Sequence, residues 1–423
     1  MKRILFVIGT ALLALLFFLA MGQDMNREWN GYQRRFVKSL APEERRDVKP
    51  GIKQLLATDL GRVDRCTTCH MAIDKPKIAL GQQPFTAHPG QFLDWHPPEK
   101  FGCTTCHGGQ GLATETAAAH GEVEHWERPL LRGPLVQASC YKCHGDVETI
   151  RQHVPMLSRG MELYKKMGCA GCHAVQGFGQ TVSVDLTEVG DKPWQLLDFT
   201  FVKGEPTLSQ WLDEHFKGPR QITPGYRKDE LPPGEEEIYA SFMPNFGLSD
   251  DDALALTTYM LSLTAEKLPA KFVVPAVLAK AELPPSSPVE AGRLAFVKYG
   301  CVGCHGQEGM GGRHNFNAQL GEEIPSLVHA KDYYDRQSLK EFIETGRQPV
   351  PRMNASRPRP PVYMPAWKGR IPDAEISAIV EYVLSLNERV PQEPAAAPAP
   401  SAPSAPPAAQ QGPQASVERS PAT

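Results

Sequence analysis

Every cysteine in the chain belongs to a Cys-x-x-Cys-His segment. The sequence has 423 residues and 10 cysteines, and five copies of the segment use two cysteines each. Two thiols at this spacing can each form a thioether with a haem vinyl group, and the histidine beside the second thiol can then bind the iron as proximal ligand. The pattern predicts five covalently bound haem c groups. The segments are Cys66/Cys69/His70, Cys103/Cys106/His107, Cys140/Cys143/His144, Cys169/Cys172/His173 and Cys301/Cys304/His305.

Other uses of cysteine explain this pattern less well. A zinc site would take its ligands in groups of four and would leave the histidine after each second cysteine without a role. A disulfide framework needs no histidine at a fixed place, and a thioredoxin-like motif would occur once, in a βαβ setting. Haem attachment accounts for both thiols and for the histidine, so the residues favour a c-type cytochrome.

The first three segments lie close together, in residues 61–157. Their first cysteines are Cys66, Cys103 and Cys140, so each interval is 37 residues long. A stretch of this size cannot build an ordinary apolar core around three haem groups. We therefore expect the haem groups themselves to form the core, packed against one another.

The same stretch contains spare histidines that can supply the sixth ligand of each iron. A histidine outside a haem motif is usually a surface or capping residue, but five within residues 61–157 favour bis-histidine ligation. The sequence does not assign these ligands to particular haem groups. The predicted distal ligands are His88, His120 and His125, with His96 next, and His153 and Met156 are further candidates.

Residues 158–265 and 290–388 form an internal repeat. Each unit begins with a glycine, an aromatic residue and a Gly-Cys pair at the same spacing, offset by 132 residues. Each unit ends in a predicted amphipathic helix, Asp250 to Leu263 and Asp373 to Leu386, whose acidic first turn suits a helix N-terminus. The matched positions are Gly160/Gly292, Tyr164/Phe296, Gly168/Gly300 and Cys169/Cys301.

A Met-Pro pair precedes the last helix of each unit, at Met243 and Met364. With these features the units resemble class I cytochrome c domains, in which a C-terminal helix crosses an N-terminal helix and a loop brings methionine to the iron. The resemblance implies the axial pairs His173/Met243 and His305/Met364, although methionine is more commonly a core residue. The long insertion before Met243 departs from the family pattern. Rival sixth ligands are His215, Met260, Met310, His314 and Met353.

The N-terminus predicts a membrane anchor. Lys2 and Arg3 precede 18 uncharged residues, Ile4 to Met21, that are apolar or small. This run is longer than a signal-peptide core of about 7–15 residues and approaches the roughly 20 residues that span a bilayer. We expect an uncleaved anchor in the bacterial inner (cytoplasmic) membrane, with a cleaved signal peptide as the alternative. Because the basic residues favour a cytoplasmic start, the bulk of the chain is expected on the periplasmic side, where haem c is attached.

These patterns together predict a mainly α-helical chain with little regular structure around the first three haem groups. The C-terminal end is rich in Pro and Ala and is expected to be disordered. The expected divisions are a signal-anchor transmembrane helix (1–22), a juxtamembrane helical segment (23–60), a trihaem domain (61–157), a first cytochrome c domain (158–265), a linker (266–289), a second cytochrome c domain (290–388) and a Pro/Ala-rich tail (389–423).

The function predicted from the residues is electron transfer without catalysis by this chain alone. The net charge of −3 gives no reason to expect nucleic-acid binding. Each predicted iron has a candidate sixth ligand, which favours electron transfer. A multihaem reductase or peroxidase with one open haem is the alternative. An extracellular electron conduit is the third hypothesis. Methionine in place of a second histidine raises a haem potential, so electrons are expected to run from the membrane toward the C-terminus.

The layout of anchor, trihaem segment and two class I domains resembles the membrane-anchored multihaem cytochromes of quinol-oxidising assemblies. These are respiratory complexes of the cytochrome bc type or the alternative complex III type. The resemblance implies a cytochrome b-type or other quinol-oxidising membrane subunit as donor. It implies a soluble cytochrome c or a terminal oxidase as acceptor.

Overall fold

The computed structural model describes residues 2–124, 126–180, 182–225, 241–274, 285–319 and 321–389. The described chain is mainly helical, which confirms the predicted fold class. Strands β1 (Leu55–Ala57) and β2 (Arg62–Asp64) pair as an antiparallel hairpin. The helices are α1 (Lys2–Met25), α2 (Glu28–Ser39), α3 (Phe92–Trp95), α4 (Pro98–Phe101), α5 (Thr104–His107), α6 (Thr116–His120), α7 (Pro155–Lys166), α8 (Leu208–Lys217), α9 (Pro219–Ile222), α10 (Asp250–Ser262), α11 (Pro288–Lys298), α12 (Cys301–His305), α13 (Ala330–Tyr333), α14 (Arg336–Thr345) and α15 (Asp373–Ser385).

Helix α1 is long and apolar enough to cross a membrane. It has 24 residues and a mean hydropathy of 2.8 over its most apolar window, and no residue in it is buried by the rest of the chain. At 1.5 Å per residue the helix is about 36 Å long, which exceeds a hydrocarbon core of about 30 Å. An apolar surface of this size left in water would be costly, so α1 fits a membrane anchor or a signal sequence.

The three-motif region, residues 55–153, contains short helices and turns around a small apolar cluster. That cluster joins α2 to the first motif through Phe36, Leu40, Met71 and Phe85. A buried carboxylate, Asp64, organises the second motif, because it accepts hydrogen bonds from the backbone of Cys103 and Thr104 and from the Thr104 hydroxyl. These features agree with the expectation of little regular structure here.

Two pairs of crossing helices build the C-terminal half. Helix α7 packs on α10, and α11 packs on α15. At each crossing a glycine permits close approach, because a Cβ on Gly160 would overlap the Ala255 carbonyl oxygen and one on Gly292 would overlap the Ala378 carbonyl oxygen. The aromatic residues that the repeat aligns also meet their partners alike. Their edge-to-face pairs are Tyr164–Tyr259 at 5.5 Å and Phe296–Tyr382 at 5.3 Å between ring centroids.

The insertion in the first unit contributes α8 to the same core. Thr207 caps α8 by accepting a hydrogen bond from the Gln210 backbone amide, as short hydroxyl side chains do at helix starts. Its apolar stripe buries Leu212 and Phe216 against α10. The insertion therefore brings one further helix, and with it His215, to the interior of the first unit.

An ion-pair cluster joins the first C-terminal unit to the three-motif region. Glu266, which follows α10, pairs with Arg62, Arg128 and Lys142. Arg128 also pairs with Asp191 at 2.8 Å. Because Glu266 is only 18% exposed, these contacts are better shielded from solvent than ordinary surface pairs and bind the two regions to each other.

Candidate cofactor sites

Each Cys-x-x-Cys-His segment folds into one tight helical turn. The histidine backbone amide donates to the carbonyl of the first cysteine, at 2.9 Å for His70 and His173 and at 3.0 Å for His107. A turn of this kind puts residues i, i+3 and i+4 on one face. Both thiols and the imidazole of a segment therefore face the same side, as attachment of one haem requires.

None of the ten cysteines forms a disulfide, and each is partly buried. Burial raises the pKa of the Cys140, Cys169 and Cys301 thiols to about 12 and that of Cys69 to about 11. Among the described residues, no group of three or more His, Cys, Asp or Glu is arranged to hold a metal ion. Paired thiols, each pair followed by a histidine, fit the donor set of haem c better than that of a zinc site.

Two of the motif histidines are oriented by hydrogen bonds to backbone carbonyls. Nδ1 of His173 lies 2.8 Å from the Val184 oxygen, and Nδ1 of His305 lies 3.4 Å from the Pro325 oxygen. Such a bond fixes the ring and leaves Nε2 free for a metal, as in other metal-binding histidines. Burial lowers the pKa of these imidazoles, which favours the neutral form that binds a metal.

Three spare histidines face the first three motif histidines, one to one. The ring centroids are 6.4 Å apart for His70 and His120, 6.1 Å for His107 and His88, and 6.2 Å for His144 and His96. An imidazole nitrogen lies about 2 Å from a bound metal and its ring centre about 1.2 Å farther, so two imidazoles on opposite sides of one ion have centres about 6.3 Å apart. Each observed gap therefore fits one iron between two imidazoles.

Two of the facing histidines are also held by backbone carbonyls. Nδ1 of His88 lies 2.9 Å from the Pro89 oxygen, and Nδ1 of His96 lies 3.2 Å from the Phe92 oxygen. Both rings therefore turn Nε2 away from their own backbone. The sequence had nominated both residues, but it could not show that each would meet a different motif.

The remaining candidates in this region have other positions. His125 lies outside the described residues. His153 packs edge-to-face on Trp95 at 5.0 Å and on Phe92 at 6.1 Å. Met156 is partly buried against the core of the first C-terminal unit. The structure thus brings His96 to a motif histidine, although the sequence ranked it behind His125.

Met243 and Met364 each precede the last helix of their unit. Each is partly buried against the core of its own unit. The Met364 carbonyl accepts a 2.8 Å hydrogen bond from the Arg347 amide, which ties the methionine loop to the segment after α14. Two rivals, Met310 and Met353, are 63% and 53% exposed, whereas Met260 lies in the core. Both Met-Pro residues are therefore still candidates for sixth ligands.

His215 is a second candidate in the first C-terminal unit. Its ring stacks on Trp211 at 4.6 Å, and its buried Nδ1 has no hydrogen-bond partner. Burial and the nearby charge of His173 lower the pKa of His215 to about 4. A buried nitrogen without a partner is costly, and a bound group beside His173 would satisfy it. The sequence had named His215 only as a rival of Met243.

A comparison with protein-family models matched two segments of the chain. Residues 157–264 and residues 289–387 each match the family described as cytochrome c. No curated protein and no solved structure matched the chain. The two matches span α7 to α10 and α11 to α15, which are the helical units that contain the fourth and fifth motifs.

Proposed function

Because the C-terminal half of the chain carries two cytochrome c domains, whose general role is electron transfer, we propose that the whole chain is a pentahaem c-type cytochrome. It is anchored by α1 and relays electrons along its own haem groups. The observation that carries the proposal is the set of three imidazole pairs, each 6.1–6.4 Å apart, outside the cytochrome c domains. These pairs support the proposal of haem binding in the part of the chain that the family match does not cover.

The residues that would hold the haem groups are the ten thiols and the five motif histidines. The proposed distal ligands in the three-motif region are His120, His88 and His96 for the first, second and third motifs. In the cytochrome c domains they are Met243 and Met364. When bound, each haem supplies an iron that takes up and releases one electron, and the protein sets its potential through the sixth ligand and burial.

The sixth ligands of the proposed haem sites favour electron transfer over catalysis. A reductase or peroxidase needs an iron with a vacant or exchangeable position, whereas every proposed site here has a sixth ligand. His215 gives the first cytochrome c domain a second nitrogen near His173, which makes an open position there still less favourable. Electron transfer is therefore the preferred function, and a multihaem reductase or peroxidase is the alternative.

The proposed donor and acceptor follow from the anchor and the order of the sites. The three-motif region follows α1 in the chain, so a cytochrome b-type or other quinol-oxidising membrane subunit is the proposed donor. The second cytochrome c domain lies farthest along the chain from α1, so a soluble periplasmic cytochrome c or a terminal oxidase is the proposed acceptor. The proposed location is the periplasmic face of the bacterial inner membrane.

The deciding experiment is purification of the untagged membrane protein in mild detergent. Intact mass spectrometry should give five covalent haem groups per chain, and the ferric protein should show low-spin electron paramagnetic resonance signals throughout. A cytochrome b-type subunit should co-purify. A high-spin haem that binds cyanide rapidly would favour the reductase or peroxidase, and fewer than five haem groups would refute the pentahaem proposal.

A further inference from the structure

The fourth and fifth haem motifs contact each other directly across the boundary between the two cytochrome c domains. Their thiols meet, with Sγ of Cys172 3.9 Å from Sγ of Cys304. The backbones also touch, because a Cβ on Gly171 would overlap the Gly300 carbonyl oxygen and a Cβ on Gly303 would overlap the Gly168 carbonyl oxygen. No side chain can separate the two motifs at these points.

The contact is reciprocal. Gly168 and Gly171 are related to Gly300 and Gly303 by the same offset of 132 residues that relates the two domains. Because each member of one pair meets the non-equivalent member of the other, the motifs face each other as two copies do across a two-fold axis. The cysteines in contact, Cys172 and Cys304, are likewise equivalent positions.

Two of the four glycines, Gly171 and Gly303, are not required by the backbone conformation of their own motifs. Gly168 and Gly300 have φ values of 72° and 76°, which glycine adopts without strain at the end of a helix. Gly171 and Gly303 do not have positive φ, so alanine would suit their backbones. The approach of the other motif is what excludes a side chain there.

Polar contacts hold the domains together beside the motifs. Arg370 of the second domain donates to the side-chain oxygen of Gln180, which is 3% exposed, at 2.5 Å. Gln307 of the second domain donates to the Lys166 carbonyl of the first at 3.4 Å. The interface between the two domains therefore includes hydrogen bonds as well as the direct contact between the motifs.

We propose that Gly171 and Gly303 are positioning residues that hold the fourth and fifth haem groups edge to edge as one electronically coupled pair. This inference rests on the proposed function, because it requires haem at both motifs. A haem attached through Cys172 and one attached through Cys304 would have these two attachment points side by side, because the two sulfur atoms are 3.9 Å apart. The side chain that glycine lacks would widen this junction, which every electron passing between the domains would cross.

The test uses the full-length haem-loaded protein and the variants Gly171→Ala and Gly303→Ala. The matched control is Gly145→Ala, because Gly145 also adjoins a haem motif but has open space around its added Cβ and no positive φ. Coupling is measured by the exciton couplet in Soret circular dichroism. We expect either variant to lose half or more of the couplet assigned to the fourth and fifth haem groups, with five haem groups retained and the control unchanged.

Retention of the full couplet in both variants with five haem groups would overturn the inference. If the variants fail to mature, the wild-type protein decides, because stepwise reduction must show the fourth and fifth haem groups shifting each other's spectra. Absence of that mutual shift in a wild-type chain with five haem groups would overturn this inference and leave the proposed function intact. A wild-type chain lacking haem at either motif would instead refute the proposed function.

Discussion

At the scale of single residues, the imidazole pairs carry most of the functional argument. The sequence supplied the candidates because histidine is scarce and its excess in residues 61–157 needs a reason. The pairing was beyond sequence reasoning, since His120, His88 and His96 reach their partners across turns whose geometry no local pattern encodes. The position of the His96 ring, 6.2 Å from that of His144, was equally beyond prediction, because α3, which precedes His96, is only four residues long.

Replacing His96 should open one haem. In His96→Ala the third motif loses the imidazole 6.2 Å from His144, so the proposed iron there becomes five-coordinate. We expect carbon monoxide binding to the reduced protein to rise from near zero to one equivalent per chain. The control is His153→Ala, whose ring lies among Trp95 and Phe92. Binding in the control but not in the variant would reassign the ligand.

The sixth ligand of the fourth haem is decided by a pair of variants. If Met243 is the ligand, Met243→Ala abolishes that haem's sulfur-to-iron charge-transfer band in the near infrared, whereas His215→Ala preserves it. If His215 is the ligand instead, the wild-type band comes from the fifth haem alone, so Met243→Ala leaves it unchanged, whereas His215→Ala opens the fourth haem to carbon monoxide. The buried Nδ1 of His215, which has no hydrogen-bond partner, makes His215 the rival. Met260→Leu is the control, because Met260 is a buried core residue of the same domain.

At the scale of elements, the ends of the crossing helices were predictable and their environment was not. Ser249 accepts a hydrogen bond from the Asp252 amide, so α10 begins where its cap and acidic turn predicted, at Asp250. Helix α15 begins at Asp373, directly after Pro372. Helix α8 was not predicted, because it lies in the insertion for which the family resemblance gives no template.

Replacing glycine with alanine should lower the free energy of unfolding at a helix crossing and should not do so on an open helix face. Gly292→Ala drives a methyl group into the Ala378 carbonyl of α15, and overpacking of this kind costs about 1–3 kcal/mol. Gly31→Ala in α2 has nothing within 4 Å of its Cβ and should stabilise by about 0.5–1 kcal/mol through helix propensity. Chemical denaturation measures both, and equal effects would contradict the packing of α11 on α15.

At the scale of the whole molecule, Glu266, which directly follows the first cytochrome c domain, links that domain to the three-motif region. Burial raises its pKa, but Lys142, Arg62 and Arg128 outweigh that effect, so its pKa lies below the ordinary value of 4.5. A folded-state pKa below the unfolded one gives stability that is complete above about pH 4.5 and is lost as pH falls through the folded value. Glu266→Gln should cost about 2 kcal/mol at pH 7.

The measurement for Glu266 is the acid limb of the unfolding curve. The variant should lose the part of the pH dependence that lies below 4.5, because glutamine does not titrate. Glu205→Gln serves as the control, since Glu205 is exposed on the surface of the first cytochrome c domain. An acid limb identical in wild type and Glu266→Gln would show that the ion-pair cluster does not hold the two regions together.

The direction of electron flow depends on the relative potentials of all five proposed haem groups. Bis-histidine haem groups have lower potentials than histidine–methionine ones, so the proposed ligands make the three sites after α1 low and the two in the cytochrome c domains high. Met364→His should lower the potential of the fifth haem by on the order of 0.1 V, because the axial ligand is a main determinant of haem potential. Met353→His, at a methionine that is 53% exposed, should change none. Spectropotentiometry of the wild type and both variants tests the gradient, and it would reverse the proposed direction if the two haem groups of the cytochrome c domains titrated at the lowest potentials.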